Sequence, residues 1–138
     1  MKDPAELIYP QAAAIPVRLE DRRPRILLIT SRHRRHWIVP KGLIEADQSP
    51  QEAAVAETYE EAGVRGTIVG CPVGNYDYHK WGGTCRVAVF LLQVEEELAE
   101  WPESDVRDRR WVGLKKALDM IDNRDLRRIV KRAVGSLS

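Results

Sequence analysis

One segment near the middle of the chain constrains the fold most, because both of its ends carry helix signals. Ser49 is a strong N-cap residue, Pro50 suits the first helical position, and Glu52 completes a Ser-x-x-Glu capping box. Gly63 can take the left-handed conformation that commonly ends a helix. These local signals predict a helix over Pro50–Ala62.

Strand signals stand on both sides of this helix, at residues 11–19, 25–30, 37–39, 67–69, 73–78, 84–94 and 109–112. Residues 86–94 are almost all apolar in their middle, as expected for a central strand that is covered on both faces. Pro40-Lys41-Gly42 is expected to end the third strand and to open a loop that reaches the helix. Apolar residues recur with helical spacing over 124–134, after a shorter helical turn at 114–121. The order of elements predicts an α/β (α+β) fold with a central mixed sheet, in a single domain over residues 1–138.

Composition limits how this chain could attract a charged partner. The formal net charge is only +1, so any attraction for phosphates must come from local placement of charge. No apolar run approaches the roughly 20 residues of a membrane span, and the first residues lack the apolar core of a secretion signal. We therefore expect a cytoplasmic protein without a membrane partner, with Cys71 and Cys85 buried and reduced.

The central helix carries an acidic cluster whose placement is unfavourable without a cation. At about 100° per residue, the helix has an apolar arc and an acidic face. The arc contains Ala54, Val55, Thr58, Tyr59 and Ala62, and the acidic face contains Glu57, Glu60 and Glu61. Like charges at these spacings repel by a few tenths of a kcal/mol per pair, and the helix dipole disfavours anions near the C-terminus. A bound Mg²⁺, which prefers oxygen ligands, would reverse both effects. The alternative is a solvated acidic face on an ordinary amphipathic helix.

Counted from Gly42, the segment is Gly42-x5-Gln48-x7-Ala56-Glu57-Thr58-Tyr59-Glu60-Glu61-Ala62-Gly63-Val64. It resembles the Nudix box of the Nudix (MutT-like) hydrolase family, G-x5-E-x7-R-E-U-x-E-E-x-G-U, where U is a bulky aliphatic residue. Residues 31–42 and 101–111 resemble the diphosphoinositol polyphosphate and diadenosine polyphosphate hydrolase branch, and the likeness covers about residues 11–134. Three positions depart from the box: Gln48 replaces a glutamate, Ala56 replaces the arginine, and Thr58 replaces an aliphatic residue.

The resemblance implies a Nudix-type α/β/α sandwich and a Mg²⁺-dependent hydrolase, with Mn²⁺ as a substitute metal. Such an enzyme would cleave a phosphoanhydride bond in a nucleoside- or inositol-polyphosphate. It implies catalytic roles for Glu57 and Glu60, and metal ligation by Gly42, Glu57, Glu60 and Glu61. Glu57 could serve as the general base, and Glu103 and Asp105 on a later loop are the alternatives.

Basic residues beside the box are the candidates for contact with substrate phosphates. Substrate contacts are expected from Arg32, His33 and Lys41, and Trp81 on a hairpin loop could cover the substrate. A solvated loop is the alternative for the basic residues, and packing is the expected role of Trp37, Trp101 and Trp111. Although 124–134 is basic, the overall charge is balanced and the segment lacks an aromatic platform, so a solvated face is expected there and not a nucleic-acid site. The resemblance implies a phosphorylated small molecule as the partner. We expect a monomer or a homodimer.

The departures from the box support a second hypothesis, a catalytically weakened Nudix-fold binding or regulatory module. The family's box arginine is thought to orient the glutamates, and Ala56 lacks that charge. The intact Glu57, Glu60 and Glu61 favour the hydrolase, because a retired metal site gains nothing from three acids that repel each other.

Overall fold

The computed structural model describes residues 6–137 and contains one mixed sheet between helices. The strands are β1 (Ile8–Glu20), β2 (Arg23–Thr30), β3 (Trp37–Ile38), β4 (Lys41–Leu43), β5 (Val64–Lys80), β6 (Gly83–Glu97) and β7 (Arg109–Gly113). The helices are α1 (Pro50–Ala62), α2 (Leu114–Met120) and α3 (Arg124–Gly135). The expected α/β sandwich with a mixed central sheet is confirmed.

The two central strands are buried on both faces, and their alternation separates two cores. In β1, Ala12 and Ala14 pack toward α1, whereas Ala13 and Ile15 pack toward α3. Phe90 and its neighbours on β6 follow the same alternation. The alanines of β1 let α1 approach the sheet closely, which places its C-terminal half against the loops that carry the site.

Strand order in the sheet is β3-β2-β1-β6-β5, with β4 paired to β1 and β7 paired to β2. Only β1 and β6 run parallel among the named strand pairs within residues 6–137, and the others are antiparallel. Because β4 pairs with β1 just before α1 begins, Gly42 is held by backbone hydrogen bonds beside the helix. This pairing fixes the distance between the glycine and the acidic face.

The ends of α1 match the sequence prediction. Ser49 accepts from the Glu52 amide, Glu52 accepts from the Ser49 amide, and Gly63 takes a φ of 69°. The prediction for the apolar arc is partly wrong, because Ala53 and Glu61 are buried while Val55 and Tyr59 are only half-buried. Burial of Glu61 is set by a loop distant in sequence, which a helical wheel cannot include.

Three other expectations need correction. The loop expected after Pro40 contains β4, because Lys41–Leu43 completes the pairing of β1. The two strands expected at 67–69 and 73–78 are one strand, β5, with a register shift between Val69 and Gly74. Cys71 lies in this interrupted stretch and is exposed, although both cysteines are free as expected and Cys85 is buried. Across residues 6–137, none of the helices has the length and apolar character needed to cross a membrane.

Candidate active site

Gly42 and Glu57 form the centre of the site because the glycine leaves room for the carboxylate. A Cβ added to Gly42 would lie 2.2 Å from Cδ of Glu57 and 2.4 Å from its Oε1. No other residue type could occupy position 42 with Glu57 in this place. The pairing of β4 with β1 therefore brings a backbone segment directly against a carboxylate of α1.

Glu61 lies beside Glu57 and is only 6% exposed. Its Oε1 accepts a hydrogen bond from the Lys41 amide at 3.1 Å, and its Oε2 lies 3.5 Å from the guanidinium of Arg107. The carboxylate is thus held on one side by β4 and on the other by the loop between β6 and β7. A buried carboxylate in this position requires such partners.

Burial and mutual repulsion perturb the acids of the site. Burial raises the pKa of Glu61 to about 8, although the guanidinium of Arg107 opposes the rise. Burial also raises the pKa of Glu57, which a hydrogen bond with Glu61 opposes and the charge of Glu60 reinforces. Burial lowers the pKa of Lys41, against the attraction of Glu61. Titratable groups perturbed in this way concentrate at functional sites, where a ligand or cation offsets their unfavourable charge.

A cavity of about 450 Å³ opens above the two carboxylates. All four residues expected to contact substrate line it, namely Arg32, His33, Lys41 and Trp81. Sequence reasoning gave no site role to seven further lining residues, Gln11, Ser31, Ile38, Leu43, Tyr78, Lys80 and Arg107. Of these, Tyr78 and Gln11 are joined by a hydrogen bond of 2.8 Å across β5 and β1. No local motif marks these positions, because they come together only when the strands pair.

Trp81 occupies the tight turn between β5 and β6, as expected for a hairpin loop. Its φ of 56° and the φ of 71° at Gly82 are those of a type I′ turn, in which a bulky residue is rare. The Tyr9 hydroxyl donates to the Trp81 carbonyl at 3.1 Å, and the two rings meet edge to face. The indole remains 51% exposed at the mouth of the cavity.

The donor set suits a hard divalent cation more than a transition metal. It consists of the Glu57 and Glu61 carboxylates and the neighbouring Gly42 backbone, and Mg²⁺ commonly takes one or two carboxylates together with water and phosphate oxygens. The space that Gly42 leaves for Glu57 fits this role. Within residues 6–137 no group of three or more His, Cys, Asp or Glu side chains is placed to hold an ion. Glu60 is exposed and does not line the cavity, so the structure brings together two of the three expected carboxylates.

Two of the three departures from the box, Gln48 and Thr58, have a local structural account. The side chain of Gln48 accepts from the Glu45 amide at 3.1 Å and so closes the turn before α1. The hydroxyl of Thr58 is buried and donates to the Ala54 carbonyl at 2.7 Å. Ala56 is half-buried and leaves α1 without an arginine, so any guanidinium at the site must come from another element.

The two loop acids considered as general bases lie outside the cavity lining. Oε1 of Glu103 accepts from Arg32 at 3.3 Å and from Arg107 at 2.9 Å, which makes Glu103 a bridge between two arginines. The backbone carbonyl of Asp105 accepts from Arg34, which holds the loop of residues 31–36 between β2 and β3 in place. Of the three acids considered as general bases, Glu57 is the one that lines the cavity.

A family model described as the NUDIX domain matches residues 8–133. The chain belongs to the Nudix family. Relatives include "Nudix hydrolase 13, mitochondrial" of Arabidopsis thaliana, 40% identical over 106 residues that cover 70% of this chain and 52% of that protein. "Diphosphoinositol polyphosphate phosphohydrolase 3-alpha" of Mus musculus is 35% identical over 80% of this chain and 68% of its own length. This chain spans only about half the length of the plant Nudix hydrolase.

A solved structure shows the same fold at lower sequence identity. The C. elegans Ap4A hydrolase superposes with a TM-score of 0.78 at 21% identity and covers 96% of this chain and 100% of its own. At this identity the likeness supports the Nudix fold alone. Nudix hydrolases generally need divalent metal ions, which agrees with the two carboxylates, Glu57 and Glu61, that line the same cavity as Gly42.

Proposed function

We propose that this chain is a Mg²⁺-dependent hydrolase that cleaves a phosphoanhydride bond in a nucleoside- or inositol-polyphosphate. The observation that carries the proposal is the pair Glu57 and Glu61, adjacent at the floor of a cavity whose rim is basic. Anionic ligands for a cation and cationic contacts for phosphates are thus combined within one cavity. Phosphoanhydride hydrolysis requires both, because charge develops on the phosphate oxygens in the transition state.

In this proposal Glu57 and Glu61 hold the cation together with the Gly42 carbonyl, and the exposed Glu60 adds negative charge beside them without lining the cavity. The bound cation supplies charge neutralisation and water activation. The Glu57 carboxylate accepts the proton of the attacking water, whose oxygen forms the new bond to phosphorus while the bridging oxygen leaves with the electron pair. Lys41 and Arg32 orient the phosphates, and the half-buried Lys41 ammonium does so with little water around it.

A second cavity of about 350 Å³ adjoins the first and shares Ser31, Ile38, Lys41 and Tyr78 with it. Trp37, Tyr76 and Leu126 make its lining largely aromatic and apolar. A nucleobase fits such a lining, whereas an inositol ring bears polar groups at every carbon and would leave it unsatisfied. This favours a nucleoside polyphosphate, such as a dinucleoside polyphosphate, over a diphosphoinositol compound.

A panel of hydrolysis assays tests the proposal. The full chain would be incubated with Mg²⁺ and dinucleoside polyphosphates, diphosphoinositol compounds, nucleotide sugars or nucleoside triphosphates, and the products would be separated by anion exchange. We expect turnover, fastest with a dinucleoside polyphosphate. Binding of these compounds without any turnover would instead support the regulatory module, which Ala56 favours.

We expect Arg32→Ala to raise KM about 10-fold or more, because a hydrogen bond to a charged group contributes about 1.5–3 kcal/mol. The increase of KM with salt should also become less steep, since one fewer charge would face the phosphates. Arg35→Ala is the matched control. Arg35 is exposed in the same loop and does not line the cavity, so its loss should leave KM within about twofold. Equal effects of the two substitutions would contradict a specific phosphate contact.

A further inference from the structure

The C-terminal end of α1 lacks a cation of its own. No basic residue occupies its last turn, and three glutamates lie near that end, where the helix dipole is negative. A segment distant in sequence compensates for this, namely residues 98–108 between β6 and β7 together with Arg109, the first residue of β7. The Glu103 amide donates to the Glu60 carbonyl, the Trp101 indole donates to the Glu61 carbonyl, and Arg109 donates to the Ala62 carbonyl.

Within this segment Arg107 is the residue that reaches a side chain of the site. It is 7% exposed, and its guanidinium has three different partners. One terminal nitrogen donates to the Thr30 carbonyl at 3.0 Å, Nε donates to Glu103 at 2.9 Å, and the other terminal nitrogen lies 3.5 Å from Glu61. A planar guanidinium bound from three directions cannot turn, so its position is fixed by β2 and by the loop.

We infer that Arg107 is a positioning residue that holds the Glu61 carboxylate toward the cation site, supplying from the β6–β7 loop the guanidinium that α1 lacks at position 56. The inference rests on the proposed function. Without Arg107, Glu61 would keep the Lys41 amide but would lose its nearest opposite charge, and a buried carboxylate without one turns toward water. Mg²⁺ affinity depends on such orientation, commonly by 10- to 100-fold.

The same contacts connect Arg107 to Arg32, which lines the site cavity. Glu103 accepts from Arg107 and from Arg32, so Arg32 in the loop after β2, the β6–β7 loop and Glu61 form one connected network of charges. The charge sequence is Arg32, Glu103, Arg107 and Glu61, and each neighbouring pair has opposite sign. A lysine at position 107 would keep the charge but could not serve three partners at fixed angles.

Mn²⁺ binding to the full chain without substrate tests this inference, measured by the electron paramagnetic resonance signal of free Mn²⁺. We expect Arg107→Gln to weaken binding about 10- to 100-fold and Arg107→Lys to weaken it less, with kcat falling in the same order and KM changing little. Arg109→Gln is the matched control, because Arg109 caps the same helix end through backbone carbonyls and does not touch a site carboxylate. It should lower Tm and leave Mn²⁺ affinity within about twofold when measured well below Tm.

Two results would overturn the inference. Unchanged Mn²⁺ affinity in both Arg107 variants, with a raised KM, would make Arg107 a substrate contact only. Equal loss of affinity in Arg109→Gln would assign the effect to general loosening of α1. If Arg107→Gln fails to fold, the Mn²⁺ affinity and KM of Arg107→Lys test the inference in its place. Wild-type protein that neither binds Mn²⁺ nor hydrolyses any compound of the panel would overturn the proposed function itself, whereas wild-type binding and turnover keep the two questions separate.

Discussion

Glu57→Gln is expected to lower kcat by a factor on the order of 10³, while the protein stays folded. The substitution keeps the shape of the side chain beside Gly42 but removes its charge and its capacity to accept a proton from water. Because the charge of Glu60 raises the pKa of Glu57 and the charge of Glu57 raises the pKa of Glu61, neutralisation of Glu57 should leave Tm of the metal-free protein unchanged or raise it. Activity and stability would then change in opposite directions, as expected for a residue placed for function.

Thermal melts with and without Mg²⁺ provide the second measurement. A ligand at 100 times its Kd stabilises the folded state by about 2.7 kcal/mol, so wild-type Tm should rise with Mg²⁺ and the variant's should rise less. Glu61→Gln should also reduce the rise in Tm that Mg²⁺ produces. Glu60→Gln is the informative comparison on the same helix, because Glu60 is exposed and outside the cavity. We expect Glu60→Gln to lower kcat by about 10- to 100-fold. Wild-type turnover in both Glu57→Gln and Glu61→Gln would refute the proposed metal site.

The sequence was most informative where structure is decided locally. Both ends of α1 were predictable because capping by Ser49 and the left-handed Gly63 depend on a few neighbouring residues. The two-face burial of β6 was also predictable, since an unbroken apolar run has few alternatives in a sheet. The order of strands and helices along the chain then predicted a mixed sheet, and the resemblance to the Nudix box implied the sandwich.

Tertiary contacts explain where sequence reasoning was incomplete. The wheel placed Glu61 on a face away from the core, but Lys41 of β4 and Arg107 of a later loop enclose it. The periodicity of one helix cannot show its contacts with a segment that lies more than 40 residues later in the chain. The same limit applies to β5, where a register shift near Gly74 joins two stretches that look like separate strands.

Arg107 illustrates which part of the site a sequence cannot indicate. It stands among several charged residues between Asp105 and Arg110, and nothing in that run distinguishes a buried arginine from solvated ones. The absence of a box arginine at Ala56 was visible, and its replacement was not. The sequence therefore shows the loss of the box arginine at Ala56 but not the contact between the Arg107 guanidinium and Glu61.

Gly42→Ala should lower activity with little effect on stability. The new Cβ would lie 2.2 Å from Cδ of Glu57, a distance that no structure tolerates, so one of the two must move. The carboxylate is the far end of a flexible side chain on the half-exposed face of α1, whereas Gly42 is fixed by its pairing with Ala12 of β1. Glu57 should therefore swing out of the cavity at little cost to stability.

We expect Gly42→Ala to lower kcat by about 10² to 10³, close to the effect of Glu57→Gln, and to weaken Mn²⁺ binding in the substrate-free chain, while Tm falls by no more than a few degrees. Gly135→Ala is the matched control, because a Cβ at the end of α3 would meet its nearest atom, on Leu114, at 3.9 Å. That control should keep full activity. Combining Gly42→Ala with Glu57→Gln adds a decisive test, since two substitutions that remove the same carboxylate from the same place should not add. Additive losses would show that Gly42 acts through something other than Glu57.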